Sequence, residues 1–189
     1  MVATAQINQY NGAAPGSKTD KASGTVRFKN ADNATVDLSN PLVIPTSGRE
    51  YSYEVALRVA FSGEFTSISN LQAYTDGAPG FQVGSPTEVD VFYATGGSYR
   101  QVVVPSESAA VPQSDIAGSP LEDMSQLFAA TSGSPIDMDV TNAGPWTPNS
   151  PNADPVDAGD FLYLVMRVLP GASSGVLTGE TLTFTYDEI

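Results

Sequence analysis

The sequence contains neither cysteine nor histidine among its 189 residues. Without cysteine there are no disulfides, no thiolate zinc sites and no thiol nucleophiles, although the compartment stays open. Without histidine the commonest general base and transition-metal ligand is gone. Serine–histidine and cysteine–histidine catalysis go with it. Cations are also scarce. Eight Lys and Arg stand against 21 Asp and Glu, a net charge of −13. Nucleic acid and anionic membrane surfaces are therefore not expected partners. No apolar run approaches the length of a membrane span. The opening Met1-Val2-Ala3-Thr4-Ala5-Gln6 has neither a charged start nor an apolar stretch, so no signal peptide is expected. No Walker-type or GxGxxG loop occurs, and the glycines read as turn glycines.

What the chain does have is strand alternation. In residues 51–61 the odd positions are Tyr51, Tyr53, Val55, Leu57, Val59 and Phe61. The even positions are Ser52, Glu54, Ala56, Arg58 and Ala60. Side chains in a strand alternate between two faces, so this run predicts a central strand with one face on a core. The other face is expected toward water or a partner. Further strands are predicted over 25–29, 35–38, 42–44, 65–69 and 71–74. Residues 87–104 read as a hairpin turned at Gly96-Gly97, with Val89, Val91 and Tyr93 on one face. Residues 161–169 are apolar on both faces except Arg167 and predict an interior strand. Leu182, Phe184 and Tyr186 alternate with Thr181, Thr183 and Thr185, predicting a last strand paired with 161–169 as a closing hairpin. Eight of the fourteen prolines fall between Pro105 and Pro155. Within that Pro-rich excursion, 105–160, Ser119, Pro120 and Glu122 form a capping-box signature for one short helix carrying Leu121, Met124, Leu127 and Phe128. Trp146 lies between Pro145 and Pro148 and reads as a plug over the end of the core, in preference to a ligand platform. The expected fold is a single all-β sandwich of eight to ten strands over 23–189, jelly-roll-like or immunoglobulin-like.

Residues 1–22 are small and polar with no periodicity, and read as a flexible N-terminal arm. Charge is split along the chain. Residues 1–29 carry four cations and one acid, +3, while 30–189 carry four cations and twenty acids, −16. The arm is thus expected to lie across an acidic neighbouring subunit. Ile7 and Tyr10 would supply burial, and Lys18 and Lys21 attraction. Asp154, Asp157 and Asp160 cluster before a predicted strand, and Asp137 and Asp139 share a strand face. Either group offers oxygen ligands for Ca²⁺, and neither has EF-hand spacing. Asp and Glu are abundant enough for a paired-carboxylate mechanism, but nothing singles out a pair, so no enzyme is expected. Asn33-Ala34-Thr35 is a glycosylation sequon, discounted without a secretory signal.

Taken together, the small basic arm, the acidic all-β body, the absence of Cys and His and the loop-rich centre resemble virion structural proteins. The ending Gly175-Val176-Leu177-Thr178-Gly179-Glu180-Thr181-Leu182-Thr183-Phe184-Thr185-Tyr186 is similar to the last strand of β-sandwich proteins on tailed-phage particles. Within that group the comparison is with capsid decoration or cement proteins. The resemblance implies a bacteriophage structural protein located in the virion. It would be a homo-oligomer, with a trimer favoured, bound to the major capsid protein or another virion protein. It covers about 30 residues and carries no catalytic, cofactor or ligand motif. A major capsid protein of the common tailed-phage fold fits less well, since that fold needs a long spine helix. Two other readings are a carbohydrate-binding or adhesin module using Trp146, and a tail or baseplate component.

Overall fold

The structure, a computed structural model, describes residues 3–21, 24–78, 88–105, 125–148 and 155–189. It is an all-β sandwich of two antiparallel sheets. The strands are β1 (Ala3–Asn11), β2 (Ser17–Asp20), β3 (Glu50–Tyr51), β4 (Val55–Gly63), β5 (Ile68–Tyr74), β6 (Val89–Gly96), β7 (Ser125–Gln126), β8 (Ile136–Asp137), β9 (Val156–Val168) and β10 (Thr183–Glu188). The large sheet runs β2-β1-β4-β9-β6-β7, with β3 also paired to β9. The small sheet runs β10-β5-β8. Among the described residues no helix is long and apolar enough to cross a membrane.

The alternation in 51–61 places its apolar face as expected only from Val55 onward; residues 52–54 are not strand, and Tyr51 and Tyr53 instead join a cluster with Tyr10 and Phe161. Val55, Leu57, Val59 and Phe61 are buried between the sheets. β9 lies alongside, with Leu57 opposite Leu162 and Val55 opposite Leu164. Residues 161–169 do form the interior of the large sheet, with β4 and β3 on one side and β6 on the other. The inner core is completed by Ile68, Leu71, Ile136 and Met138 of the small sheet and its continuation. Val26, Phe28, Leu42 and Ile44 pack against the same core from irregular backbone rather than from strands.

The outer face of the large sheet departs from expectation. It is not open to water. Ala56 and Ala60 are fully buried, and a second cluster of Tyr10, Tyr51, Ala56, Val102, Phe161, Tyr163 and Val165 lies there. The covering layer is the segment expected to return as a hairpin partner of β6. Residues 99–104 form no strand with β6. Arg100 binds both carboxylate oxygens of Glu54 at 2.7 and 2.8 Å, and the Glu54 N–H donates to Val103 O at 3.0 Å. The Tyr99 ring packs against Tyr10 and Phe161, with centroids at 5.5 and 5.6 Å. A buried charge needs its partner, so the Glu54–Arg100 pair draws the chain across the sheet. Small side chains at Ala56 and Ala60 leave room for it.

Four other expectations are corrected. The arm over 1–22 is not loose from Ala3 onward: β1 pairs with β4 from Ala3↔Gly63 to Tyr10↔Ala56, and β2 folds back on β1. The last strand does not close on 161–169 but pairs with β5 in the small sheet, while Leu182, Phe184 and Tyr186 pack on the core as expected. Val36 and Leu38 are exposed and belong to no strand. Of the predicted helix, Ser119, Pro120, Leu121, Glu122 and Met124 lie outside the described residues. The remainder is β7 and a single 3-10 turn at Leu127–Ala129.

β9 carries a bulge where it passes β4. The pairing steps from Leu57↔Leu162 to Val59↔Ala158, so Arg58 faces extra residues around Gly159. Gly159 has φ +67°, and a Cβ there would lie 2.5 Å from Met138 O and 2.6 Å from a Leu71 methyl. Glycine is required on both counts. The bulge lets the Asp160 N–H donate to Met138 O, which ties the two sheets together.

Candidate functional site: an anchored apolar loop

Of the residues expected to bind partners or metal, Tyr10, Lys18 and Asp157 meet, inside one chain. Tyr10 is buried, and its hydroxyl donates to Asp157 Oδ2 at 3.2 Å. Lys18 reaches both oxygens of Asp157 at 2.8 Å and stands over the Tyr10 ring. Arg58 approaches the same carboxylate at 4.0 Å. Burial and the neighbouring Asp157 push the Tyr10 hydroxyl up from its ordinary range. Lys18 loses by burial but gains more from its bonds to Asp157 and Tyr10, so its pKa is raised. Ile7 sits on the opposite face of β1, packed toward the inner core. The arm's apolar anchors and one of its lysines therefore hold β1 and β2 to their own sheet.

Of the calcium ligands expected at Asp154, Asp157 and Asp160, the structure describes two. Asp154 lies outside the described residues. Asp157 and Asp160 belong to β9 rather than to a loop. Asp157 is committed to Lys18 and Tyr10. Asp160 is fully buried and accepts the backbone N–H groups of Thr141 and Asn142 at 2.9 and 2.8 Å. Among the described residues no group of three or more acidic side chains is placed to hold a metal. Asp137 and Asp139 do lie together: the pKa of Asp139 is raised by its hydrogen bond with Asp137 and by burial.

Lys21 and Lys29 lead to a feature that sequence reasoning missed. Both are buried, at 8% and 4% exposure. The Lys21 ammonium donates to Ala34 O at 2.6 Å, and that of Lys29 to Thr35 O at 2.7 Å and toward Asp37 at 3.6 Å. Burial, then the charge of Lys29, lowers the pKa of Lys21. The chain from Asn30 to Asn40 is thereby closed into a compact loop, and the Asn30 N–H donates to Asn40 O across its neck at 2.8 Å. Inside it, Asn33 Oδ1 accepts the Thr35 N–H and Asp37 Oδ1 the Ser39 N–H. Asp32 fastens the loop to the end of β1 through Asn11 and Gly12. This anchored loop presents to solvent Val36 at 48% and Leu38 at 67% exposure, among exposed Asn30, Thr35, Ser39 and Asn40. The signal in the sequence was the alternation Val36/Leu38 itself, which reads equally as a strand.

An open cleft of about 470 Å³ is lined by Thr95, Gly96, Gly97, Ser98, Tyr99, Arg100 and Thr141. Its functional groups point elsewhere: Arg100 to Glu54, and the Tyr99 hydroxyl to Gly12 O at 2.7 Å. Trp146 pairs through its backbone with Ile68 and packs half-buried on the core, which is the plug expected of it.

The fold thus defines an all-β sandwich with an anchored surface loop that exposes Val36 and Leu38. No protein-family model, no curated protein and no solved structure gives a significant match to the chain.

Proposed function

We propose that the chain is a non-enzymatic structural protein of a virion, a capsid decoration protein, and that the 30–40 loop is its contact element. The observation that carries this reading is the anchorage of Val36 and Leu38. Two buried ammonium groups bind carbonyls of a loop that exposes two large apolar side chains, Val36 and Leu38, among polar ones. Preorganised apolar side chains on a surface loop suit association, because little conformational entropy is left to lose on binding. The charge map agrees. Lys18, Lys29, Arg58, Arg100 and Arg167, five of the eight cations, are ion-paired within the chain. The outward field is therefore acidic and would steer the protein toward basic or neutral surfaces. Among the described residues β10 ends the small sheet with β5 as its one strand partner, which offers a second contact by strand pairing.

The virion assignment rests on the resemblance of the acidic, Cys- and His-free sandwich and its closing strand to phage decoration proteins. Its test is quantitative mass spectrometry of purified particles from the source of the chain. A decoration protein is present at a fixed copy number that is a simple multiple of the lattice symmetry. Absence from the particles, or a copy number of a few per particle, counts against it, and the second result would favour a tail or baseplate role.

A further inference from the structure

The chain has one Asn-Gly dipeptide, Asn11-Gly12, at the end of β1. Asparagine followed by glycine is chemically labile. The glycine nitrogen attacks Cγ of the asparagine, the Cγ–Nδ2 bond breaks, and Nδ2 leaves as ammonia. The resulting succinimide is opened by water to aspartate or isoaspartate. Glycine favours the attack because it has no Cβ to obstruct the approach. The reaction needs the Gly12 N–H to give up its proton and the Asn11 side-chain oxygen to accept negative charge.

Both requirements are opposed here. The Gly12 N–H donates to the two carboxylate oxygens of Asp32 at 3.2 and 3.1 Å. Deprotonation would set a second negative charge against that carboxylate. Asn11 Nδ2 also donates to Asp32 Oδ1, at 2.9 Å. A carboxylate only accepts, which settles the orientation of the amide. Asn11 Oδ1 is then buried with no hydrogen-bond partner among the described residues, so an oxyanion there would form unassisted. The Tyr99 hydroxyl holds the following carbonyl, Gly12 O, at 2.7 Å.

We propose that Asn11-Gly12 is a latent deamidation site and that the Asp32 carboxylate is the group that keeps it silent. Deamidation would place a carboxylate where an amide now donates to Asp32. Attraction becomes repulsion, and the 30–40 loop loses its tie to β1. The modification is therefore a one-way record of that contact having opened. It stands whether or not the loop binds a capsid.

The test is peptide mapping by mass spectrometry of folded protein held at mildly alkaline pH, well below its melting temperature. Wild type, Asp32→Ala, Asp32→Asn and Leu71→Ala are compared, with urea-unfolded wild type giving the unprotected rate. Leu71 is buried in the core and its truncation lowers stability without touching the clamp. The expected result is that Asp32→Ala deamidates about tenfold faster than wild type, as loss of hydrogen bonds to a charged group implies. Asp32→Asn, which keeps the shape and removes the charge, is also faster, and Leu71→Ala is not. Wild-type rates in both Asp32 variants would overturn the proposal. So would an equal acceleration in Leu71→Ala, because general loosening would then explain it.

Discussion

Lys21 and Lys29 donate to adjacent carbonyl oxygens, those of Ala34 and Thr35, from positions eight residues apart in the chain. Two like charges buried near one another oppose folding, and Lys21 is accordingly easier to deprotonate than a free lysine. The arrangement persists because each ammonium satisfies a loop carbonyl that has no backbone partner among the described residues.

Lys29→Met keeps the aliphatic stem and removes the donor. It should destabilise the protein by about 1–3 kcal/mol, the worth of a hydrogen bond from a charged donor. Urea unfolding measures this. An unchanged midpoint would mean that the loop is held by its own turns alone.

Arg100→Met leaves Glu54 buried without its bidentate partner. Breaking a buried pair from one side is costly, but Arg100 is a quarter exposed, so about 2–3 kcal/mol is expected. The covering segment should also loosen, and faster hydrogen exchange at Val103, whose N–H donates to Glu54 Oε2, would report it. The double change Glu54→Leu/Arg100→Met should recover much of the loss.

Gly159→Ala sets a methyl against Met138 O and Leu71 in a left-handed conformation. Strain and overpacking together should cost about 2–4 kcal/mol. A melting temperature equal to wild type would show that the bulge can reshape without harm.

Alkaline pH should destabilise the outer aromatic layer. Burial, then the charge of Asp32, pushes the Tyr99 hydroxyl from 10.0 to about 12. Burial likewise raises Tyr163 and Tyr10. Between pH 10 and 12 the unfolded chain releases the Tyr99 proton and the folded chain keeps it, so the folded state binds more protons there. Stability must then fall as pH rises through that window. Denaturant unfolding at several pH values, with tyrosinate absorbance in parallel, checks both the sign and the delayed ionisation.

The inner core was readable because Val55, Leu57, Val59 and Phe61 alternate with small or polar residues. The outer layer was not. Ala56 and Ala60 are neutral in pattern, and only the Glu54–Arg100 pair, 46 residues apart, discloses what covers them. β1 was hidden because its buried positions include polar Asn8 and Gln9 beside Ile7 and Tyr10, so hydrophobic alternation never rises above composition. The +3 charge of residues 1–29 was real, but its direction was misread. Lys18 turns to Asp157, and Lys21 and Lys29 to a loop that follows them in the chain. Single-sequence charge counting records the sign of such groups and says nothing of their long-range partners. The closing strand had a clear face but no register signal, so its assignment to the wrong sheet followed from proximity in sequence alone.

The most direct test of the account is co-sedimentation with particles from the same source that have been stripped of this protein. Wild type is compared with Val36→Asp/Leu38→Asp. Both positions are solvent-exposed, so the double variant should fold with stability within about 0.5 kcal/mol of wild type. The account predicts that wild type rebinds and that the variant binds at least about tenfold more weakly, since two apolar contacts are replaced by charges that must be desolvated. Equal binding by the two proteins, or no rebinding by wild type, would contradict it.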